Sequence, residues 1–299
     1  MRQTPSRLHT WLQLLRAPNL FTVPGDPIAG YLVANSGFVD ASLALVPAAS
    51  LCFYAAGLLL NDLADLREDA LERPNRPLPA GLASPASVRA ALLALNALGL
   101  LLLFATGSSR CLMAGIATIA AVASYNLLTK KIPVLGALNM GLCRSLSILV
   151  GAFAGPSPSA YPISAVFALV AGLFIAAVTH LARFETKPLV PRSARILPLI
   201  SLVPGVLFGA QNALFSPEKV PAFGLFLLPL AAASRLAFQL FQPNPFLPPL
   251  IGAHIRLLLP LQAAMCWFGA SQGTGPLFAA GLLLLWPVSR MVSKRFYAS

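Results

Sequence analysis

The sequence predicts an all-α polytopic membrane protein, a bundle of nine to ten transmembrane helices. Of its 299 residues, 57% are hydrophobic and 10% are charged, whereas charged residues make up about 25% of an ordinary soluble domain. Apolar runs of about 20 residues, the length needed to cross a hydrocarbon core, recur with short polar breaks. Such spans are expected to be helical because a helix satisfies its own backbone hydrogen bonds in lipid.

Hydropathy predicts ten candidate spans, and the polar segments between them are too short to fold alone. We therefore expect one membrane domain over residues 1–299. Sixteen of the 21 Lys and Arg residues fall on the side of the N-terminus and two on the other, so the positive-inside rule puts both termini in the cytoplasm. The predicted spans are 11–35, 41–60, 86–106, 110–128, 134–155, 161–182, 195–214, 221–241, 250–270 and 275–292.

The net charge of +12 does not indicate nucleic acid as a partner. The basic residues lie between apolar runs and form no patch interleaved with aromatic residues. In this arrangement they orient the helices and contact membrane lipids. The four cysteines occur singly in apolar segments, so we expect neither a disulfide framework nor a metal knuckle.

Acidic residues are concentrated in one short segment. Five of the nine acids in the chain fall within positions 62–72. At about 100° per residue, Asp62, Asp65 and Asp69 share one face of a helix that continues out of the second span. Like charges at these spacings repel, so the face is expected to hold something cationic. Carboxylate oxygens suit Mg²⁺, and we predict that these three aspartates bind Mg²⁺.

Basic residues and prolines follow this acidic face directly. Segment 73–81 contains Arg73, Arg76 and three prolines, which end the helix and stiffen the loop. Arginine binds phosphate oxygens with two donors at once. Carboxylates followed by arginines predict a composite site for a metal-bound diphosphate at the membrane surface. The alternative is a solvated loop whose charges only mark topology.

Segment 61–81 resembles the first aspartate-rich motif of the UbiA superfamily of intramembrane prenyltransferases. The resemblance implies a bundle of about nine spans that, with Mg²⁺, transfers a prenyl group from a prenyl diphosphate to an aromatic or other lipophilic acceptor. The residues that carry it are Asn61-Asp62-x-x-Asp65-x-x-x-Asp69 and Arg73-Pro74-x-Arg76-Pro77-Leu78-Pro79-x-Gly81.

The resemblance covers roughly residues 11–270, with the tenth helix an addition. Arg16-Ala17-Pro18-Asn19 is similar to the N-terminal Arg/Asn element of the family, and Ser124-Tyr125-Asn126 with Lys130-Lys131 is similar to its Tyr-Ser and Lys segment. A narrower similarity, through Gly141–Ser147, is to a divergent branch in bacterial metabolite clusters, including ebo clusters, and we predict a location in the bacterial inner membrane. The resemblance implies that Asp62, Asp65 and Asp69 act in catalysis. It also implies substrate binding by Asn19, Asn61, Arg73, Arg76, Tyr125 and Lys130.

The sequence departs from the family where a second aspartate-rich motif is expected, at the end of the sixth span. Segment 178–188 contains no aspartate, and Glu185, its only acid, is the candidate metal ligand. His180 could bind a ligand, carry a proton or make a local hydrogen bond, and Arg183 could bind phosphate. Either cationic side chains replace a second metal ion, or catalysis is lost and the bundle binds or translocates a lipophilic molecule.

Charged residues also occur deep within predicted spans. Arg144 lies about ten residues inside the fifth span, too far for its side chain to reach the interface. Because an intramembrane charge is costly, it normally faces the bundle interior or a partner. We therefore expect Arg144 to face a cavity and contact diphosphate or acceptor, and Asp26 in the first span to pair with a basic group.

These observations predict an intramembrane prenyltransferase. A non-catalytic protein that binds or translocates a lipophilic metabolite is the alternative. A lipid phosphotransferase is a third class, but the Asp-Gly and Ala-Arg spacing of such enzymes is missing.

Overall fold

The computed structural model describes residues 6–155, 157–187, 189–271 and 273–295, without the side chains of residues 17, 18, 294 and 295. Position 188 of the segment 178–188 therefore lies outside the described residues. The described chain is helical and contains no β-strand. Its helices are α1 (Arg7–Leu14), α2 (Ala17–Leu20), α3 (Gly25–Ala34), α4 (Ser42–Ala64), α5 (Leu66–Glu72), α6 (Pro85–Phe104), α7 (Ser109–Ser124), α8 (Leu135–Ala154), α9 (Tyr161–Ala182), α10 (Arg192–Ile200), α11 (Val203–Phe215), α12 (Val220–Leu240), α13 (Leu247–Arg256), α14 (Leu258–Gly269) and α15 (Thr274–Arg295). A π-helical turn, Tyr125–Thr129, continues α7, and 3₁₀ turns, Pro158–Ala160 and Pro217–Lys219, precede α9 and α12.

Nine helical segments of the described chain are long and apolar enough to cross a membrane. This confirms the prediction of a polytopic helical membrane protein. Two of these segments are pairs of helices, α10 with α11 and α13 with α14, because Pro204 and Pro260 cannot donate the next helical hydrogen bond. The nine segments are Ser42–Ala64, Pro85–Phe104, Ser109–Thr129, Leu135–Ala154, Pro158–Ala182, Arg192–Phe215, Pro217–Leu240, Leu247–Gly269 and Thr274–Ser293.

The prediction of one continuous helix over 11–35 is wrong. Arg16 adopts a left-handed conformation with φ 43° between α1 and α2, and Pro24 precedes α3. Proline lacks the amide hydrogen that a continuous helix needs there. The broken segment still crosses the bundle: Arg16 lies beside Asp62 at the end of α4, whereas Ala34 lies beside Gly155 at the opposite end of α8.

Both ends of the described chain lie on the same side of the bundle. α1 packs near the end of α4 that carries Asp62. α15 begins at the opposite side, where Thr274 donates to the carbonyl of Gly37 at 2.9 Å, and runs back across the bundle. With the broken first segment, the described chain thus crosses the bundle ten times.

Helix α8 is the centre of the architecture and packs against α3, α7 and α9. Its contact with α3 is especially close. A Cβ atom at Gly30 would overlap the backbone of Ile148, and one at Gly151 would overlap the backbone of Pro27. Small residues allow two helix backbones to approach in this way. The close approach places Asp26 on α3 beside Arg144 on α8.

Candidate active site

A cavity of about 370 Å³ lies within the bundle. Its mouth is at the end of α4, where Asn61 and Arg16 line it, and it extends inward to Ser50 on α4 and Ser147 on α8. Apolar side chains of α4, α7, α9, α13 and α14 form much of the wall. The shape and lining suit a lipophilic molecule with a polar head at the mouth.

The predicted acidic face forms at this mouth. The amide of Asp65 donates to the Asn61 carbonyl at 2.9 Å and that of Asp69 to the Asp65 carbonyl at 2.8 Å, so helical bonding continues from α4 into α5. Asp62 and Asp69 are buried and Asp65 is half-buried, whereas Glu68 is exposed. The predicted continuation of the helix through Asp62, Asp65 and Asp69 is therefore confirmed, and all three side chains are less exposed than Glu68.

Each aspartate of this face pairs with a different basic side chain. Arg16 contacts Asp62 at 3.3 Å, and Arg76 contacts Asp69 at 2.7 Å. Lys130 bonds to Asp65. Three separate parts of the chain thus bring one cation each to the face, which relieves the repulsion among the carboxylates.

The π-helical turn at the end of α7 positions Lys130. The Lys130 amide donates to the Tyr125 carbonyl, five residues earlier, at 3.0 Å, whereas an α-helix bonds residues four apart. Such turns are frequent at functional sites. The Lys130 ammonium donates to Asn61 Oδ1 at 3.1 Å as well as to Asp65. Tyr125 lines the cavity just below. The turn therefore joins two of the predicted substrate-binding residues to the acidic face.

The two arginines of the proline-rich loop have different environments. Arg76 reaches inward to Asp69, and its side chain is 19% exposed. Arg73 caps α5 and is exposed. Leu78 from the same loop is buried in a cluster with Leu14 and Leu59, which fixes the loop against α1 and α4. The loop thus delivers Arg76 to the mouth while Arg73 stays at its rim.

An exposed ion pair lies beside the acidic face. Lys131 donates to Glu68 at 2.7 Å, and their side chains are 76% and 50% exposed. This hydrogen bond lowers the pKa of Glu68 and raises the pKa of Lys131. The pair does not line the cavity and provides an outside comparison for Lys130 and Asp65.

The far end of the cavity holds another ion pair, separate from those at the mouth. Arg144 Nε lies 2.5 Å from Asp26 Oδ2, and the Arg144 guanidinium also donates to the Thr22 carbonyl. Gln262 on α14 donates to Asp26 at 2.7 Å and to the Thr22 carbonyl at 2.8 Å. Arg144 lines the cavity, and Asp26 is fully buried behind it. The expectations that Arg144 faces a cavity and that Asp26 pairs with a base are confirmed.

The segment that replaces a second aspartate motif contributes to the cavity wall but brings no acidic side chain to it. Thr179 and Ala182 line the wall, whereas His180 packs its ring against Phe184 at 5.5 Å and Glu185 is exposed. Arg183 is half-buried and lies within electrostatic reach of Tyr125. The structure thus brings Arg183 towards the mouth but does not bring Glu185 to the acidic face.

The oxygen donors of the face fit Mg²⁺ chemically. Mg²⁺ prefers carboxylate oxygens and commonly keeps several waters, and Asp62, Asp65 and Asp69 present such oxygens beside the Asn61 amide. Among the described residues, no group of three or more His, Cys, Asp or Glu side chains is gathered around one point. Each carboxylate is turned to its own cation instead. The ligand roles of these aspartates and of Glu185 therefore remain predictions.

Several residues of the site were not among the binding residues predicted from the sequence. Arg16 lies at the left-handed break between α1 and α2 and contacts Asp62; the following Ala-Pro-Asn was the available signal for that break. Asn19 was predicted and does line the cavity, where it lies beside Tyr54. Ser50 and Ser147 were not predicted to bind a ligand, although Ser147 ends the segment Gly141–Ser147, because single serines are common in transmembrane helices.

The fold and the site define an intramembrane helical protein with a largely apolar cavity and paired charged side chains at its mouth. Residues 27–188 match the UbiA prenyltransferase family. The chain therefore belongs to this family, whose members are membrane enzymes that transfer prenyl groups, and the predicted resemblance is confirmed.

Sequence relatives include two archaeal enzymes. Digeranylgeranylglyceryl phosphate synthase of Methanoculleus marisnigri is 30% identical over 200 residues, which cover 64% of this chain and 67% of that enzyme. The enzyme of the same name from Ignicoccus hospitalis is 35% identical over 105 residues, 35% of this chain and 34% of the relative. The narrower similarity to bacterial metabolite clusters and the bacterial location remain predictions.

Solved structures share the fold. A UbiA homolog from Aeropyrum pernix K1 has a TM-score of 0.67 and 16% identity, with 84% of this chain and 97% of that chain covered. A UbiA homolog from Archaeoglobus fulgidus, bound to DMAPP and Mg²⁺, has a TM-score of 0.59 and 17% identity, with 86% and 99% covered. At these identities the likeness confirms the fold.

Proposed function

We propose that this chain transfers the prenyl group of a prenyl diphosphate to an aromatic or other lipophilic acceptor, and that Asp62, Asp65 and Asp69 hold Mg²⁺ for this reaction. The observation that carries the proposal is the inward acidic face, paired carboxylate by carboxylate with cations, at the mouth of a cavity. The family and a homolog bound to DMAPP and Mg²⁺ support it.

The residues at the mouth have distinct tasks in this proposal. The bound metal ion would neutralise the diphosphate and make it a better leaving group. Arg16, Arg76 and Lys130 lie where phosphate oxygens would bind and stabilise the charge that accumulates on the departing diphosphate. The apolar wall below keeps water from the electrophilic allylic carbon, so the acceptor is the nucleophile that reaches it.

We also propose that residues 1–299 form a single membrane domain with the cavity mouth in the cytoplasm. The concentration of Lys and Arg on the side of the mouth supports this orientation. Labelling of single cysteines introduced at Glu72 and Asn244 by an impermeant maleimide in sealed vesicles tests it. Both sites should react from the cytoplasmic side alone, and reaction from the opposite side would contradict the orientation.

The test of the activity is pyrophosphate release from geranyl diphosphate by the full chain in detergent. Mg²⁺ and a total membrane lipid extract as the acceptor pool complete the assay. Asp62→Ala and Asp65→Ala should abolish release while the thermal midpoint is retained. Glu68→Ala is the matched control, because Glu68 is an acid of the same segment that is exposed. Unchanged release in both aspartate variants would contradict the proposed roles.

A second candidate function is binding or translocation of a lipophilic metabolite without chemistry. It is favoured by the outward position of Glu185 and by the absence of aspartate from 178–188. This candidate predicts saturable binding of geranyl diphosphate without pyrophosphate release by the wild-type chain. Release that depends on Mg²⁺ and is lost in Asp62→Ala would exclude it.

A further inference from the structure

The inner end of the cavity, which we call the floor, is polar although it lies deep in the bundle. It is lined by Ser50, Thr118, Arg144 and Ser147, from α4, α7 and α8. Their exposed fractions are 5%, 6%, 9% and 9%. At about 1.5 Å per residue, some 18 Å of helix α4 separates Ser50 from Asp62. The floor is therefore distinct from the mouth at which the diphosphate is placed.

Two hydroxyl groups of the floor have no hydrogen-bond partner among the described residues. These are Ser50 Oγ and Ser147 Oγ, on helices that face each other across the cavity. The hydroxyl of Thr118, in contrast, donates to the Ala114 carbonyl at 2.8 Å. Buried polar groups are normally hydrogen-bonded, because leaving such a group without a partner costs about 1–3 kcal/mol. Two such groups at one cavity end indicate that a polar ligand atom binds there.

The floor is electrically neutral. The charge of Arg144 is balanced by Asp26, which is fully buried and held by Gln262. An anionic ligand group would meet no unbalanced cation here, and its desolvation would not be offset. A hydroxyl or carbonyl oxygen can accept from Arg144 and from the two serine hydroxyls, and a ligand hydroxyl can also donate to the serines. The floor is thus suited to a hydroxyl or carbonyl group.

The prenyl chain is not the molecule that the floor recognises. An isoprenoid tail carries no hydrogen-bonding group, so its burial here would leave both serine hydroxyls without a hydrogen-bond partner. The prenyl acceptor is the other occupant of the cavity in the proposed reaction, and its nucleophilic end must lie near the mouth. A polar group at its opposite end would lie at the floor.

We propose that the floor formed by Ser50, Ser147 and Arg144 binds a neutral hydroxyl or carbonyl oxygen at the end of the prenyl acceptor remote from the reacting atom. This inference rests on the proposed function, because it identifies the floor's ligand as the acceptor. It assigns the acceptor to neutral, oxygenated lipophiles and selects against acceptors with a carboxylate at that end.

Three probes of matched shape test the assignment: biphenyl-4-ol, biphenyl-4-carboxylate and biphenyl. Their affinities for the full chain in lipid nanodiscs are measured by titration calorimetry. Each is compared between wild type and the double variant Ser50→Ala/Ser147→Ala, so that partitioning into the lipid cancels. Ser145→Ala is the matched control, because Ser145 lies on the same helix and donates to the Ala168 carbonyl at 2.7 Å outside the cavity.

The wild-type chain should bind biphenyl-4-ol more tightly than either other probe. The double variant should bind it about 3- to 10-fold more weakly per lost hydrogen bond, with biphenyl unaffected and the Ser145→Ala variant unchanged. Because the two hydroxyls have no hydrogen-bond partner among the described residues, their removal should not lower the thermal midpoint. Equal losses for biphenyl-4-ol and biphenyl, or tightest binding of the carboxylate, would overturn the inference.

The same preparations separate this inference from the proposed function. Binding of dimethylallyl diphosphate with Mg²⁺ should be unchanged in Ser50→Ala/Ser147→Ala and lost in Asp62→Ala. If the serine variant, and not the Asp62→Ala variant, loses the preference for biphenyl-4-ol, the assignment of the floor is supported even when no pyrophosphate is released. A preference that survives in the serine variant overturns the floor assignment even when prenyl transfer is observed.

Discussion

The buried pair of Arg144 and Asp26 makes a quantitative prediction about stability. Asp26 is fully buried, and the pair joins α3 to α8 at their closest approach. Arg144→Met keeps much of the side-chain volume but leaves the Asp26 carboxylate with Gln262 as its hydrogen-bond donor. Removing one partner of a buried ion pair costs about 3–5 kcal/mol. We therefore expect the free energy of unfolding to fall by about that amount.

The measurement uses the cysteines of the chain itself. Cys111 and Cys266 are fully buried free thiols, so their modification by a fluorescent maleimide reports unfolding during an SDS titration in mixed micelles. The double variant Asp26→Asn/Arg144→Met removes both charges and should recover most of the loss, because a neutral amide needs no counter-ion.

The exposed pair provides the control for this experiment. Lys131→Ala breaks an ion pair whose side chains are 76% and 50% exposed, and it should leave the SDS midpoint unchanged. If Asp26→Asn/Arg144→Met proved no more stable than Arg144→Met, the two charges would not be coupled. The description of the floor as a neutral, mutually balanced pair would then be refuted.

Three further predictions concern the mouth and the packing of the helices. Lys130→Ala should lower kcat/KM for geranyl diphosphate about 10²-fold, and an equal loss in Lys131→Ala would contradict the role given to Lys130. Lys131 lowers the pKa of Glu68 below the usual 4.5, so the pair is intact at neutral pH. Its contribution to stability is lost as the pH falls through that lowered pKa. In Lys131→Ala the Glu68 carboxyl, followed by carbon-13 NMR, should titrate at higher pH, and an unchanged titration would contradict this. Gly151→Leu should destabilise the chain by about 1–3 kcal/mol in SDS titration. Gly281→Leu is the control and should not destabilise it, because a Cβ there meets open space. Equal midpoints for the two variants would contradict the close packing of α3 on α8.

The sequence predicted those parts of the site that depend on local spacing or on the cost of charge in lipid. The inward face of Asp62, Asp65 and Asp69 follows from helical periodicity, which also separates it from the exposed Glu68. Arg144 was expected in the interior because it is too far from the interface to reach water.

Other features depend on contacts between distant segments, which spacing does not reveal. The break at Arg16 brings its side chain to Asp62, 46 residues away, although hydropathy shows one apolar run. The aspartates were expected to need a metal ion for charge balance, but cations from three separate segments supply it. Glu185 points outward because α9 ends at Ala182 and the following turn leaves the cavity wall.

The most direct test of the proposed active site is a structure of the chain with Mg²⁺ and dimethylallyl thiodiphosphate, a donor that resists cleavage. The proposal predicts a metal ion held by Asp62, Asp65 and Asp69. Lys130 and Arg76 should have moved from the carboxylates to phosphate oxygens, and the prenyl chain should lie inside the cavity. A donor bound elsewhere, with all three carboxylates still joined to their present basic partners, would contradict it.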